Sequence, residues 1–277
     1  MTAYNGSSHH GLGIAVVGYN RPSHLESVLQ SLTRQGHIYR AHVWVDGTQG
    51  RREMRDVNEK SVEIAKRFPV RRVHAVKGHL GIEKLMLDVL DYMSAHYDRS
   101  IVLEDDCFPT SGSIDAFEKT LADVKEQQDV YSVYGCHFGT EPKNERDFTR
   151  FQGWGWAAHS DKIKLVLPEL RALFLLPEEE YLKHVSENIT DDIRAKLDRT
   201  LERKVLNVLK LFYSWDSATA FVTARRNLRH RRTDKPVVIN TGIVSDAGHF
   251  SEDRPMFRRK PFNMITLDEA WDHFDQS

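Results

Sequence analysis

The stretch Ile101-Val102-Leu103-Glu104-Asp105-Asp106 constrains this chain more than any other. Three apolar residues run straight into three carboxylates, and Cys107, Phe108 and Pro109 follow. The apolar run predicts a buried strand, with Pro109 ending it. Three acids at one strand end repel each other unless a cation, hydrogen bonds or shifted proton affinities compensate. Two readings stand. Oxygen ligands at the mouth of a parallel sheet suit Mg²⁺ or Mn²⁺, a cation that bridges a diphosphate. Alternatively the acids form a polar strand end, with Asp105 or Asp106 capping a helix.

The segments before this stretch alternate in type. Residues 13–18 (Gly-Ile-Ala-Val-Val-Gly) predict a buried strand, and Leu25, Val28, Leu29 and Leu32 give the period of a helix that opens at Pro22-Ser23. Residues 41–45 predict a second strand ending at Asp46-Gly47. A helix over 51–67 follows, with Val57, Val62, Ile64 and Ala65 as its apolar positions. A strand over 70–76, the turn Gly78-His79-Leu80-Gly81 and a strongly periodic helix over 82–96 lead into the acidic strand. The order β-α-β-α-β-α-β implies a mostly parallel sheet with helices on both faces. Ligands of such sheets bind at the carboxyl ends of the strands. Asn20, Asp46, Gly81 and Asp106 all fall just past a strand end or at a helix start, so they are expected to line one crevice. In the first loop Tyr19 is placed to stack on a base, and Arg21 to meet a phosphate at a helix N-terminus.

The second half is less regular. A helix over 113–128 and a strand over 131–137 precede Phe151-Gln152-Gly153-Trp154-Gly155-Trp156-Ala157-Ala158. Trp154 and Trp156 form either an apolar wall beside a sugar, with Gly155 letting backbone approach it, or core packing under the sheet. Residues 161–209 read as helix-rich, broken at Pro168 and Pro177, with an apolar face at Leu197, Leu201, Val205, Val208 and Leu209. Asp216, after Trp215, is either a buried general base or an ordinary N-cap. His249, after Asn240-Thr241-Gly242, is either a metal ligand or a structural histidine. The aromatic tail from Ser251 wraps the domain or meets a partner. The polar residues 1–12 read as a disordered leader. The pattern changes near Arg150, the one plausible subdivision of the chain, which separates residues 13–150 from residues 151–277.

Among the 277 residues, 39 bases nearly balance 40 acids, so no global field points to nucleic acid. The bases do cluster, at 51–52, 71–72, 225–232 and 258–260. Such clusters form a solvated face, a phosphate or peripheral membrane patch, or a homo-oligomer contact. Two cysteines cannot build a disulfide framework, which fits a cytoplasmic protein. No run is long enough to span a bilayer, and the N-terminus lacks the apolar core of a signal peptide.

Taken together, these motifs resemble the GT-A family of nucleotide-sugar glycosyltransferases. Val16-Val17-Gly18-Tyr19-Asn20-Arg21-Pro22 resembles the opening of its nucleotide-binding half. Glu104-Asp105-Asp106 resembles its acidic motif in the form of the N-acetylglucosaminyltransferase I branch. Trp154-Gly155-Trp156-Ala157 and Asn240-Thr241-Gly242…Gly248-His249 resemble a bacterial hemolytic-protein-like branch. The resemblance implies a GT-A (Rossmann-like) α/β fold with a helix-rich C-terminal acceptor part, in a bacterial cytoplasmic transferase of the hexosyltransferase class that builds polysaccharide. It implies a nucleotide-sugar donor, a UDP-sugar first among them, and a glycan, lipid-linked or small-molecule acceptor. Tyr19, Asn20, Arg21, Asp46, Gly81 and Asp105 would hold the nucleotide, and Asp106 with His249 would hold Mn²⁺ or Mg²⁺ and its diphosphate. Gly81 stands where the family often has an Asn-x-Gly turn, and the asparagine is missing here. Trp154, Gly155, Trp156 and Trp215 would line the donor-sugar and acceptor side. Asp216 would be the base of an inverting single displacement. Two rivals remain: a sugar nucleotidyltransferase, whose triphosphate would call for a glycine-rich first loop bearing Arg and Lys, and a non-catalytic nucleotide-binding module.

Overall fold

The computed structural model describes residues 11–48, 51–138, 144–197, 213–243, 257–260 and 262–276. Its centre is an eight-stranded sheet in the order β3-β2-β1-β4-β8-β6-β9-β7. The parallel half consists of β1 (Leu12–Gly18), β2 (Ala41–Val45), β3 (Arg72–Ala75) and β4 (Arg99–Glu104). Between them run α1 (Pro22–Arg34), α2 (Arg55–Arg67) and α3 (Ile82–His96). β5 (Cys107–Pro109), α4 (Ser113–Asp123), β6 (Val130–Tyr134), β7 (Asp147–Phe148) and β8 (Trp156–His159) follow in the chain. The C-terminal part holds α5 (Ser160–Phe174), α6 (Glu178–Asn188), α7 (Asp191–Leu197), α8 (Trp215–Arg225), β9 (Arg229–Arg232), β10 (Val238–Asn240) and α9 (Leu267–Gln276). A mostly parallel sheet flanked by helices, with a helix-rich C-terminal part, is the GT-A (Rossmann-like) arrangement expected. Among the described residues, no helix is long and apolar enough to cross a membrane.

Strand alternation builds the two core layers. Ala15 and Val17 of β1 pack on one face with α3, α5 and α8, while Ile14 and Val16 pack on the other with α1 and α4. α8 is buried on nearly every side, as a helix inside the core must be. Its two mid-helix threonines are satisfied internally: Thr219 Oγ1 donates to the Trp215 carbonyl and Thr223 Oγ1 to that of Thr219, both at 2.7 Å.

Several expectations change. β4 stops at Glu104, and Cys107–Pro109 form a separate strand, β5, antiparallel to β10. Asp105 and Asp106 therefore sit in a turn between two strands and cap no helix. α4 ends at Asp123, short of residue 128. Pro168 does not break α5: it lies on the exposed face, so the carbonyl it leaves unpaired meets water, while Ile163, Val166, Leu167 and Leu170 anchor the other face. Val57 is exposed, and the buried side of α2 consists of Asn58, Ser61, Ile64 and Ala65.

The basic run at β9 is largely spent on neighbouring acids. Arg225 and Arg226 meet Glu169, Arg229 pairs with Asp129 and Asp147, and Arg231 pairs with Asp147. The Arg229 and Arg231 pairs hold the sheet edge at β7–β9, and the Glu169 pairs tie the end of α8 to α5. Arg51, Arg52, Arg71 and Arg72 are exposed. The tail wraps the domain: Trp271 and Phe274 of α9 pack edge-on against Phe108 of β5, and the Arg34 guanidinium lies 4.4 Å from the Trp271 ring centre.

Two half-buried histidines make folding sensitive to acid. His74 stacks on Trp44, with ring centres 4.3 Å apart, and its Nε2 lies 3.2 Å from Nδ1 of His42. Burial, then Arg72 and His96, push its pKa down to about 4. His137 is likewise pushed down to about 4, by burial and then Arg232. Unfolding lets both protonate near pH 6.5, so their contribution is full above that value and is lost as pH falls towards 4. After discounting for partial solvent access, the two together account for about 2 kcal/mol of acid destabilisation. Urea titrations of the wild type and a His74→Gln/His137→Gln variant, at pH 7 and pH 4.5, check this. The variant should lose less stability across that interval, and equal losses would refute the assignment.

Candidate active site

The chain runs β1, β2 and β3 outward and then returns to β4 on the other side of β1, which opens a crevice at the carboxyl ends of β1 and β4. The acidic turn lies there. The Arg21 guanidinium spans it, with Nη2 on Asp105 Oδ1 and Nη1 on Asp106 Oδ2 at 2.7 Å. This forked geometry suits two neighbouring carboxylates. Burial works against the charge on Arg21, but Asp105 and Asp106 outweigh it and raise its pKa. Burial pushes the Asp105 carboxyl up against the pull of Arg21, and burial followed by Asp106 pushes Glu104 up further. Asp216 also contributes to the shift at Glu104, so it belongs to the same electrostatic field.

The loop 240–242 closes over the turn. Thr241 donates to the Asp106 carbonyl from both its backbone N–H (2.8 Å) and its hydroxyl (3.1 Å). The Asn240 side chain accepts from the Gly242 N–H at 2.9 Å. A Cβ at Gly242 would sit 2.6 Å from Asp106 Oδ2, so only glycine lets the chain pass here. His24 Nε2 lies 2.9 Å from the Thr241 carbonyl and ties this loop to α1. The Asn-Thr-Gly motif thus packs against the acidic turn. His249 lies outside the described residues.

The other expected nucleotide residues meet at the tips of β1 and β2. Asp46 is buried, and its carboxylate accepts from the backbone N–H groups of Gly47 and Leu80 at Oδ1 (both 2.9 Å) and of Gly81 at Oδ2 (3.1 Å). His79 Nδ1 lies 2.8 Å from Oδ2 as well. Asp46 therefore clamps the Gly-His-Leu-Gly turn. Tyr19 packs on the His79 ring at 5.3 Å, and its hydroxyl is buried without a hydrogen-bond partner among the described residues. Asn20 is buried and donates to Met54 Sδ at 3.2 Å. Asn58, which no motif in the sequence singles out, donates its amide to the carbonyls of both Tyr19 and Asp46 at 2.7 Å and joins the two strand tips. The only hint of it was a polar residue within an amphipathic repeat.

The two tryptophans differ in burial. Trp156 is fully buried in the core against Phe151, Tyr131 and Trp215. Trp154 is half-buried and stacks on Phe138 at 5.1 Å, beside a small cluster of Phe257, Phe262, Ile243 and Met264. Gly155 takes a left-handed φ of 68°, and a Cβ there would lie 2.7 Å from Val238. Gly153 permits the approach of α8: its Cβ would lie 3.1 Å from both Asp216 and Trp215. The N-cap of α8 is Ser214, which accepts from the Ser217 N–H at 3.3 Å, so Asp216 does not cap the helix. Asp216 stands in the first turn, half-buried, and its Oδ1 accepts from the Ser214 hydroxyl at 2.5 Å.

Asp105 and Asp106 fit Mg²⁺ or Mn²⁺ as hard oxygen donors, since such ions are commonly held by one or two carboxylates plus substrate phosphates. Among the described residues, no group of three or more His, Cys, Asp or Glu is arranged to hold a metal by protein alone.

No protein-family model and no curated protein matches the chain. Among solved structures it is similar to a cytidylyltransferase from Leptospira borgpetersenii, at 17% identity over 65% of this chain and 72% of that one, with a TM-score of 0.37. It is also similar to a mannosyltransferase from Pyrobaculum calidifontis, solved with GDP-Man and Mn²⁺, at 12% identity over 78% of this chain and 73% of that one, with a TM-score of 0.41.

Proposed function

We propose that the chain is a glycosyltransferase that moves a sugar from a nucleotide-sugar, a UDP-sugar first among the candidates, to an acceptor hydroxyl with inversion. The observation that carries this reading is the meeting, at the β1/β4 crevice, of the acidic turn, the Arg21-Pro22 start of α1 and the returning loop 240–242. Asp216 supports it by sharing the field of Glu104 from the C-terminal side.

Asp106, with Asp105 beside it, would hold Mg²⁺ or Mn²⁺, whose charge neutralises a leaving diphosphate when bound. Asp216 takes the proton of the acceptor hydroxyl as its oxygen bonds to the anomeric carbon. The bond from that carbon to the diphosphate oxygen breaks, and the nucleoside diphosphate leaves with the bonding pair. Ser214 holds Asp216 Oδ1 and thereby fixes the carboxylate's orientation. Trp215 is buried against Phe151, and Gly153 lets this part of the chain approach Asp216 closely.

Calorimetric titration with UDP, GDP, CDP and dTDP, each with and without Mn²⁺, tests the reading. One nucleotide should bind in a metal-dependent way, and Asp106→Ala should weaken that binding at least tenfold. Binding of none of the four would rule out the metal-dependent mechanism. With the corresponding nucleotide-sugar and an acceptor, the product should be the nucleoside diphosphate. Consumption of a nucleoside triphosphate and sugar phosphate with release of pyrophosphate would instead mark a nucleotidyltransferase.

A further inference from the structure

The two carboxylates suited to a divalent cation are already held by a cation of the chain's own. Arg21, in the loop after the neighbouring strand β1, reaches both Asp105 and Asp106 and is only 16% exposed there. The pairing is built from two sides, and the sides differ in freedom. Asp106 is fixed: its carbonyl takes both donors of Thr241, and its Oδ2 fills the space that a Cβ at Gly242 would need. Asp105 is anchored by its N–H, which donates to the Val17 carbonyl at 2.8 Å, and it is buried. Arg21 is fixed only through its backbone, at the N-terminus of α1, where its carbonyl accepts from Leu25 at 3.0 Å. Its long side chain is the part that can leave. The first turn of α1 beside it favours anionic oxygen, so a diphosphate arriving there would offer the guanidinium a replacement partner at short range.

Resting on the glycosyltransferase reading above, we propose that Arg21 is an internal competitor for the divalent cation, displaced from Asp105 and Asp106 only when a nucleoside diphosphate takes up its guanidinium. The cation alone then binds weakly, because it must expel a buried, forked ion pair and leave the guanidinium without a counter-charge. With nucleotide present the same exchange leaves every charge paired. Cation and nucleotide therefore enter together, and each raises the other's affinity by the same factor. A site of this kind resists loading with metal while empty of donor.

Mn²⁺ affinity, read from the paramagnetic resonance signal of free Mn²⁺, distinguishes this role from a purely structural one. The probes are Mn²⁺ alone and Mn²⁺ with UDP, or with whichever of GDP, CDP and dTDP binds best. The proteins are the full wild-type chain, Arg21→Met and Arg21→Lys. Direct ligation of the metal by the diphosphate is common to all three, so the difference between them isolates Arg21. In Arg21→Met, Mn²⁺ alone should bind at least tenfold more tightly than in the wild type, and the enhancement by nucleotide should fall by a similar factor. Arg21→Lys, whose ammonium cannot fork across both carboxylates, should fall between. If Arg21→Met does not fold, the lysine variant carries the comparison, and tighter binding of Mn²⁺ alone is again required. Unchanged or weaker binding of Mn²⁺ alone in the variants, with wild-type binding of nucleotide and Mn²⁺ intact, overturns the competitor role and leaves the transferase reading standing. Absence of joint binding in the wild type overturns both.

Discussion

Replacing Asp216 with asparagine is expected to slow sugar transfer by about 10²- to 10⁴-fold, the usual worth of a positioned general base. The substitution keeps the shape of the side chain and its place in the first turn of α8, and an amide oxygen can still accept from the Ser214 hydroxyl. What it removes is the capacity to take a proton. Nucleotide affinity should therefore stay within about twofold, because the acidic turn and Arg21 are untouched. Ser214→Ala serves as the companion test. It frees the carboxylate from its positioning contact and removes the N-cap, which costs about 1 kcal/mol of stability. Its loss in turnover should be smaller than that of Asp216→Asn and should appear in kcat more than in donor KM. Steady-state kinetics with donor and acceptor varied separately would check both variants. Near-normal turnover by Asp216→Asn would remove the base assignment and leave a retaining course as the one to pursue.

How far the sequence could carry these assignments depended on the range of the interactions. Periodic signals are local, and they located β1, β2, α1, α3 and the apolar part of β4 nearly to the residue. The order of those elements then implied that Asn20, Asp46, Gly81 and Asp106 share one end of a parallel sheet, and they do lie there: Asn20 and Asp46 just past β1 and β2, Gly81 on the Asp46 carboxylate, and Asp106 in the turn after β4. Side-chain partners far along the chain had no such signal. Arg21 reads as a phosphate ligand in its own loop, and nothing near it announces carboxylates 84 and 85 residues away. β8 was obscured for a different reason. Trp156-Ala157-Ala158-His159 is buried between β4 and β6, so it shows no polar alternation, and the glycines before it suggest a loop. Asn58 and Pro168 illustrate the converse error. Each looks wrong for its helix by composition, and each is accommodated because its polar group or missing donor meets a specific partner or solvent.

Asp46→Ala is expected to be the most destabilising single change near the site, by about 3–5 kcal/mol, because it strips a buried set of donors of its charged acceptor. The carboxylate gathers three backbone N–H groups from two segments, with His79 as a fourth neighbour. Each such bond to a charged group is worth about 1.5–3 kcal/mol alone, and the sum is less than additive because the loop relaxes as a unit. Little space exists for that relaxation, since a Cβ at Gly47 would already lie 2.5 Å from the Val76 carbonyl oxygen. Asp46→Asn should cost nearly as much: its NH₂ would face N–H groups where the second carboxylate oxygen now accepts. Loss of the clamp would also release His79 from the Tyr19 ring, so weaker nucleotide binding should accompany the instability. Urea unfolding combined with nucleotide titration separates this role from the base or ribose contact that the family resemblance implies for Asp46. A stability loss under 1 kcal/mol together with abolished nucleotide binding would favour direct contact. A loss of several kcal/mol, with binding partly restored at low temperature where the folded population recovers, would identify Asp46 as the residue that shapes the pocket floor and would leave recognition of the base to Tyr19 and Asn20.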